Sequence, residues 1–488
     1  MSEFRSAGTG SGAHAATGEH HEDIERYGYR QELHRSLSFV DLLVYGLVFM
    51  VPIAPWAIFG VVYNSAAGMV PLVYLIGLVA MIFTALSYAQ MSRAFPIAGS
   101  VYSYVGRGLN RHLGFFAGWT ILLDYLLVPT LLYVFAAESM AGIFPGVPKQ
   151  VWIVLFLVVN TAVNYIGISF TALVNRIFLA AELVFVAIFV VMAIAAINAG
   201  TNGARFTTTP LFNAAEFTPA LAAAALSIAV LSFLGFDGIA TLSEEAKGGR
   251  RAAGIAMISG LVLVATFFVA QTWLAAMLVP DTASFPDDKV NNAFFDIVGS
   301  ISSSGWQIAF LAMNALAVGI ANAVAAQSAT SRLLFSMSRD GRLPRFLSHI
   351  NARTRVPERA ILLVGGLTLV AGLFFVGQIG LISALVNFGA LFSFMLLHAS
   401  VISYYGVRRR SRNAFLHWVS PVIGFLVIGY VLWNADIAAK IGGVVWLVIG
   451  AGVLAYYNSR GTGVLAEHAA DPAGAGAGHD TVPEERRP

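Results

Sequence analysis

The stretch SFLGFDG at residues 232–238 places two glycines and a carboxylate in the middle of a long apolar run. A second stretch, MVPIAPW at residues 50–56, carries prolines at positions 52 and 55 inside another apolar run. Proline has no amide hydrogen and cannot continue the hydrogen-bond ladder of a helix. In hydrocarbon, backbone freed in this way is tolerated only where it faces protein or a water-filled cavity. The two stretches therefore predict two interrupted membrane helices that meet at a polar chamber.

The composition of the chain excludes an ordinary soluble protein. Of its 488 residues, 58% are hydrophobic and 11% are charged, whereas soluble domains are roughly 25% charged. The absence of cysteine excludes disulfides and cysteine-ligated metal centres. No cofactor is expected, and a net charge of +3 gives no reason to expect a nucleic-acid partner.

Twelve runs are long enough to cross a bilayer, for which about 20 mainly apolar residues are needed. They lie at residues 39–63, 70–91, 114–138, 151–168, 172–197, 218–243, 253–279, 305–327, 359–377, 380–405, 417–434 and 441–457. The polar segments at residues 1–37 and 459–488 are expected to be disordered tails, and the first has no signal-peptide core. The sequence thus predicts an all-α integral membrane protein with 12 transmembrane helices.

The basic residues predict the orientation of these helices. If residues 1–37 lie inside the cell, all but four of the 29 lysines and arginines fall on that side. The four exceptions are Lys149, Arg205, Lys289 and Lys440. Such an asymmetry is the positive-inside signal. It predicts a multi-pass protein of the inner (plasma) membrane with both termini in the cytoplasm.

The positions of the two interruptions predict an inverted repeat. They fall in spans one and six, five helices apart, and an odd number of spans inverts the second copy across the membrane. This is the layout of secondary transporters that bind their substrate near the midplane, between two discontinuous helices. In a simpler interpretation, Pro52 and Pro55 only kink a helix and Gly235 only allows close packing. The matched positions in the two halves favour a binding site.

Several motifs resemble the amino acid–polyamine–organocation (APC) superfamily. They are FPIAGSVY at 95–102, FLGFD at 233–237 followed by SEE at 243–245, and SRLL at 331–334 with RDGRLP at 339–344. Three further stretches resemble the putrescine importers of that superfamily. They are GWTILLDY at 118–125, FD at 236–237 and NFGAL at 387–391.

The resemblance covers about residues 35–458 and implies a five-plus-five inverted-repeat core with alternating access. The core would occupy residues 38–405, with a first repeat at 38–197 and a second at 218–405. Helices 11 and 12, at residues 406–458, would lie outside it. The resemblance also implies that a proton gradient drives transport.

The first interruption helps to distinguish an amine substrate from an amino acid. Many amino acid carriers of the superfamily have a Gly-Ser-Gly stretch there, whose free amides can bind a carboxylate. Residues 51–55 of this chain read VPIAP, and the two prolines remove two possible donors. These residues favour a substrate with amines and no carboxylate, and the resemblance to putrescine importers implies import of putrescine or a related diamine by proton symport. A dication that enters a cell with a negative interior gains about 4.6 kcal/mol per 100 mV.

Three carboxylates lie deep inside the predicted spans: Asp124, Glu182 and Asp237. A charged group there is costly unless it is paired, so each is a candidate functional residue. Asp237, on unwound backbone, is predicted to accept hydrogen bonds from a substrate ammonium group. Alternatively, it bonds only to neighbouring amides. Glu182 is the first candidate for proton coupling, followed by Asp237 and Asp124. Alternatively, Glu182 is a carboxyl group that is only hydrogen-bonded to other helices of the bundle.

Aromatic residues beside the interruptions complete the predicted site, because cations bind to aromatic faces. Adjacent helical residues point about 100° apart, so Asp124 and Tyr125 cannot both face one cavity squarely. The resemblance favours Tyr125 for the pocket. The predicted substrate-binding residues are Pro52, Ala54, Trp56, Tyr125, Phe233, Gly235, Phe236 and Asp237.

Two rival functions are open at this point. One is an amino acid permease or an amino acid/amine exchanger on the same scaffold, and the other is a non-transporting membrane sensor. An enzyme is not expected, because the sequence has no nucleotide-binding Gly-x-x-x-x-Gly-Lys loop and no His-Glu-x-x-His metal motif. The expected partners are a small amine, protons and the lipid bilayer, and the oligomeric state is left open.

Overall fold

The computed structural model describes residues 37–95, 100–166, 168–242, 245–247, 249–279, 284–286, 289–339 and 343–459. Within these ranges the chain is helical, and it has no strand beyond an isolated bridge between Leu37 and Ala246. Several sequence features lie outside the described residues: both predicted tails except Leu37 and Ser459, residues 96–99 of the FPIAGSVY motif, residues 243–244, and residues 340–342.

The helices are numbered in chain order. Those of the first half are α1 (Phe39–Met50), α2 (Pro55–Ser65), α3 (Val70–Ala94), α4 (Ser100–Gly108), α5 (Arg111–Ile143), α6 (Lys149–Ile166) and α7 (Ile168–Asn198). Those that follow are α8 (Pro219–Ala229), α9 (Gly238–Thr241), α10 (Gly249–Met277), α11 (Ala293–Ile301), α12 (Ser304–Leu316), α13 (Ala323–Arg339), α14 (Glu358–Phe374), α15 (Ile379–Val401), α16 (Ser420–Asn434) and α17 (Ile437–Ser459). A π-helical segment, Ala317–Asn322, joins α12 to α13.

Eleven segments of the described chain are long and apolar enough to cross a membrane, when the bent pair α1 and α2 counts as one span. The remaining predicted span, residues 359–377, corresponds to α14. That helix has 17 residues, which is the lower end of the range that crosses a bilayer. The all-α membrane fold class is confirmed, while the number of 12 spans stays a prediction.

Helix α5 lies at the centre of the bundle. It has 33 residues and begins where the Asn110 side chain accepts a hydrogen bond from the amide of Leu113 (2.9 Å). It packs against α4 and α6 from the first half and against α12, α13, α14 and α15 from the second. Because α5 contacts both halves, its side chains can reach a site between them.

Ser38 caps the first turn of α1. Its hydroxyl accepts a hydrogen bond from the amide of Asp41 (3.3 Å), and the Asp41 carboxylate accepts one from the amide of Ser38 (3.0 Å). This capping box satisfies amides that a helix leaves free at its start. Arg176 of α7 also pairs with Asp41. The beginning of the first interrupted span is therefore fixed to α7.

One end of the bundle, which we call the N-terminal face, is closed by contacts of Leu37, Glu245 and Arg332. The amide of Leu37 donates to the carbonyl of Glu245 (3.0 Å), and the amide of Lys247 donates to the carbonyl of Leu37 (2.8 Å). The Glu245 carboxylate pairs with Arg332 of α13 (Nε to Oε1, 2.9 Å). These contacts join the segment before α1 to the segment after α9 and to α13.

Candidate functional site at the two helix interruptions

The first interruption separates α1 from α2. The axis of α2 is bent by 53° from the axis of α1. Val51 follows the last residue of α1 and has φ of +53°, a strained conformation for a β-branched residue. Pro52 and Pro55 cannot donate backbone hydrogen bonds, which is why the helix does not continue through them. The discontinuous first helix that the prolines predict is present.

Gln271 of α10 satisfies the backbone at this interruption. Its amide nitrogen donates to the carbonyl of Pro52 (2.7 Å), and its amide oxygen accepts from the indole nitrogen of Trp56 (2.5 Å). The Trp56 ring stacks on Phe294 with a centroid distance of 4.9 Å. Trp56 is thus fixed by packing and by one hydrogen bond to a neighbouring helix.

Replacement of Gln271 with leucine is expected to destabilise the protein. The change leaves the carbonyl of Pro52 and the indole N–H of Trp56 buried without their partner, at a cost of about 1–3 kcal/mol for each group. The thermal unfolding midpoint of purified protein in detergent measures the effect. Gln378→Leu is the matched control, because Gln378 is exposed and its side chain donates to the carbonyl of Phe374 in the adjacent turn. Equal unfolding midpoints for the two variants would contradict the role given to Gln271.

The second interruption lies between α8 and α9. A 3₁₀ turn, Val230–Phe233, follows α8, and Leu234 is extended (ψ 144°). Gly235 then has φ of +107°, which only glycine adopts readily. The sixth span is therefore interrupted at the position that the glycines predict.

The two interruptions contact each other through Phe49, in the last turn of α1. A Cβ atom built on Gly235 would lie 2.7 Å from Cγ of Phe49, and one built on Gly238 would lie 2.5 Å from its Cδ1. Any side chain larger than hydrogen at these positions would overlap the phenyl ring. The two glycines are what allow the broken helices to approach so closely.

A cavity lies beside this contact. Its lining residues come from the two interruptions, α2, the middle of α5 and the π-helical segment Ala317–Asn322. Its walls are mainly apolar, with polar groups from Asp124, Tyr125, Ser232 and Asn322. The lining residues are Phe49, Met50, Val51, Ala54, Ala57, Ile58, Asp124, Tyr125, Val128, Leu131, Leu132, Phe135, Leu231, Ser232, Leu234, Gly235, Val318 and Asn322.

The structure places the predicted site residues in two groups. Ala54, Tyr125 and Gly235 line the cavity, and so does Asp124, for which the sequence argument had preferred its neighbour Tyr125. The others do not line it and are buried in contacts between helices. These are Pro52, Trp56, Phe233, Phe236 and Asp237.

The two phenylalanines of the second interruption serve packing. Phe233 contacts the rings of Tyr74 (centroids 5.9 Å apart) and Phe268 (5.4 Å). Phe236 contacts Tyr88 edge-on, with centroids 5.7 Å apart. Neither ring lines the cavity, and the substrate-binding roles predicted for Phe233 and Phe236 stay predictions.

Asp237 lies directly behind the cavity wall, towards the N-terminal face. Its Oδ2 accepts hydrogen bonds from the hydroxyls of Tyr125 (2.7 Å) and Tyr88 (3.4 Å). Its Oδ1 has no partner among the described residues, and the side chain is 1% exposed. Tyr125 lines the cavity and bonds to Asp237, so Asp237 lies directly beneath the part of the wall that Tyr125 forms. We call this pair the Tyr125–Asp237 floor.

Glu182 of α7 is fully buried, and neither of its carboxylate oxygens has a hydrogen-bond partner in the part of the chain that the structure describes. It does not line the cavity. Glu182 is therefore not grouped with Asp124 and Tyr125, which line the cavity. Among the described residues no cluster of three or more histidine or acidic side chains could hold a metal ion.

Two buried amide residues near the interruptions were not predicted from the sequence: Gln271 and Asn322. Both are uncharged amides inside predicted spans, and the argument considered only carboxylates, aromatic residues and helix breakers. Buried amides in a membrane helix need partners, which is the signal that could have identified them. The partners of Gln271 could not be predicted from the sequence, because they lie more than 200 positions away along the chain.

Comparison with known proteins gives consistent matches along the chain. The family model described as "Amino acid permease" matches residues 38–458. The low-affinity putrescine importer PlaP of Escherichia coli is 30% identical over 428 residues, which are 86% of this chain and 93% of that protein. The methylthioribose transporter of Bacillus subtilis is 26% identical, over 89% of this chain and 95% of that protein. The branched-chain amino acid permease BcaP of Lactococcus lactis is 25% identical, over 79% and 86%.

Proposed function

The chain belongs to the amino acid permease family of membrane transporters, and from this premise we propose that it imports putrescine or a related diamine by proton symport. The observation that carries the proposal is the charge of the cavity at the two helix interruptions. Asp124 lines it and Asp237 lies behind Tyr125, yet the lining includes no lysine, arginine or histidine. A cavity with acidic groups and no basic ones favours a cationic guest.

The backbone of the first interruption supports an amine over an amino acid. A carboxylate is normally bound by free amides at the start of a helix, and Pro52 and Pro55 supply none. The similarity to a putrescine importer over most of the chain points in the same direction.

In the proposed mechanism, one ammonium group of the diamine lies at the Tyr125–Asp237 floor. The alkyl chain contacts apolar wall residues such as Ile58 and Val128. Access then alternates as the interrupted spans move relative to α5, and the contacts at the N-terminal face open to release the diamine. That face is cytoplasmic in this proposal, with both termini inside the cell and with repeats at residues 38–197 and 218–405.

Proton coupling is assigned to Glu182. A buried carboxyl group without a partner favours its neutral form. The group can release its proton only when water or a cation reaches the carboxyl oxygens. Movement of α7 relative to α1 during transport would provide that access, since these helices are in contact. Asp237 and Asp124 are the further candidates for the same role.

Uptake of radiolabelled putrescine into proteoliposomes with an inside-negative potential and an imposed pH gradient tests the proposal. Asp237→Asn is expected to lower the uptake at least about ten-fold. It removes the negative charge that attracts the ammonium group, and a loss of about 1.4 kcal/mol of binding free energy corresponds to a ten-fold change. Asp296→Asn is the matched control, since Asp296 is exposed, lies outside the cavity, and accepts a hydrogen bond from Gln307. Unchanged uptake by Asp237→Asn would reject the role of Asp237.

An amino acid permease is the second candidate, favoured by the mainly apolar cavity walls and by the similarity to branched-chain amino acid permeases. Competition separates the two functions. Inhibition of uptake by putrescine, and not by ornithine, lysine or leucine, supports the diamine. The opposite pattern supports the amino acid, and binding without accumulation would indicate a sensor.

A further inference from the structure

We propose that Asp124 and Asn322 form a second ammonium subsite, which holds the far amine of a diamine bound at the Tyr125–Asp237 floor. This inference rests on the proposed amine transport and deepens it, because a second subsite makes the protein select diamines over monoamines. Neither residue was assigned to substrate binding by the sequence.

The first support is a pair of cavity-lining residues, each of which has a buried acceptor atom without a partner. Asp124 is 2% exposed and Asn322 is 7% exposed. Oδ1 of Asp124 and Oδ1 of Asn322 are both buried, and neither has a hydrogen-bond partner among the described residues. Buried polar atoms are nearly always hydrogen-bonded in folded proteins. Two residues that line one cavity, each with an acceptor that lacks a donor among the described residues, therefore point to a ligand that donates hydrogen bonds.

The second support is charge. Asp124 is an acid, and none of the residues that line the cavity is basic. Its natural partner is a cation, and an ammonium group carries both a positive charge and three N–H donors. A metal ion fits less well, because calcium and magnesium require about six oxygen ligands, and no metal-ligating cluster occurs among the described residues.

The third support is the construction of the wall. Asn322 ends the π-helical segment Ala317–Asn322, and such segments occur often at functional sites. The carbonyl of Gly319 in this segment accepts a hydrogen bond from Asn160 (2.6 Å), which also donates to the hydroxyl of Tyr133 (3.0 Å). Tyr133 and Asp124 lie on the same helix, α5. The segment that carries Asn322 is thus held to the helix that carries Asp124.

The wall beside the subsite suits a methylene chain. Val128 and Leu131 follow Asp124 at spacings of four and seven residues along α5, and Val318 precedes Asn322 by four; all three line the cavity. Residues at these spacings share one face of a helix. The subsite is therefore a polar spot on an apolar wall, which matches an amine at the end of an alkyl chain.

Equilibrium binding of putrescine and of n-butylamine to the purified full-length protein in detergent tests the subsite. Butylamine has the same four-carbon chain and only one amine, and no ion gradient exists in detergent, so a role in proton coupling alone would not alter the result. The wild-type protein is expected to bind putrescine at least about ten-fold more tightly than butylamine. Asp124→Asn and Asn322→Leu are each expected to weaken putrescine binding and to leave butylamine binding within about two-fold.

The comparison of the two amines separates a lost subsite from general damage. Damage to the fold lowers both affinities together, whereas loss of the subsite lowers only the affinity for the diamine. Asp296→Asn serves as the control for the change in charge. Equal weakening of both amines, or no weakening of putrescine in either variant, would overturn the subsite. Wild-type protein that binds neither amine would overturn the proposed function itself, and the subsite with it.

Discussion

Replacement of Gly235 with alanine is expected to abolish putrescine uptake. The new Cβ atom would lie 2.7 Å from Cγ of Phe49 and 3.0 Å from the backbone carbonyl carbon of the same residue. The backbone of Phe49 cannot yield without moving the end of α1. Gly235 also has φ of +107°, a conformation that costs a residue with a side chain about 1–3 kcal/mol. Uptake into proteoliposomes and the thermal unfolding midpoint in detergent measure the two consequences.

The control for this substitution is Gly366→Ala. Gly366 lies inside α14, and a Cβ atom built on it has no atom within 4 Å. Alanine in a helix is about 0.5–1 kcal/mol more favourable than glycine, so this variant is expected to unfold at the same or a higher temperature and to transport normally. Normal uptake by Gly235→Ala would show that the two interruptions do not depend on their close contact at Phe49.

The interruptions themselves could be predicted from sequence, because the causes are local. Pro52 and Pro55 remove backbone donors wherever they occur in a helix, and the glycines at 235 and 238 mark backbone that approaches another element. The position of each break follows from the residue type alone. The same holds for the apolar runs, which set the all-α membrane fold through their length.

The assignment of residues to the cavity could not be predicted as well, because it depends on distant parts of the chain. Trp56 lies beside the first break, but its indole bonds to Gln271 of α10 and its ring stacks on Phe294. No local pattern reveals these partners. Nearness to the break therefore did not predict that Trp56 lies outside the cavity lining, and its role in substrate binding stays a prediction.

The choice between Asp124 and Tyr125 illustrates a second limit. Adjacent residues on a helix do point about 100° apart. They are excluded from lining the same cavity only if the cavity covers less than about 100° of the helix surface. The cavity follows α5 along two ridges, one with Asp124, Val128 and Leu131 and the other with Tyr125 and Leu132. The angular rule holds, but the width of a cavity is set by the helices around it.

Loss of Arg332 alone is expected to destabilise the protein more than loss of Arg332 and Glu245 together. The two side chains are 9% and 6% exposed, and they pair at 2.9 Å beneath the N-terminal face. Removal of one partner leaves a buried charge unpaired, which costs about 3–5 kcal/mol, whereas replacement of both by apolar residues is often neutral. Thermal unfolding of Arg332→Met, Glu245→Leu and the double variant in detergent measures the difference.

The exposed pair of Lys149 and Glu138 provides the matched control. Its atoms are 2.5 Å apart, but the side chains are 37% and 28% exposed, and exposed pairs contribute about 0–1 kcal/mol. Lys149→Met is therefore expected to change the unfolding midpoint much less than Arg332→Met. If the effects of Arg332→Met and Glu245→Leu simply added in the double variant, the buried pair would not be a coupled unit. Non-additive effects would show instead that the two charges stabilise the N-terminal face as one unit.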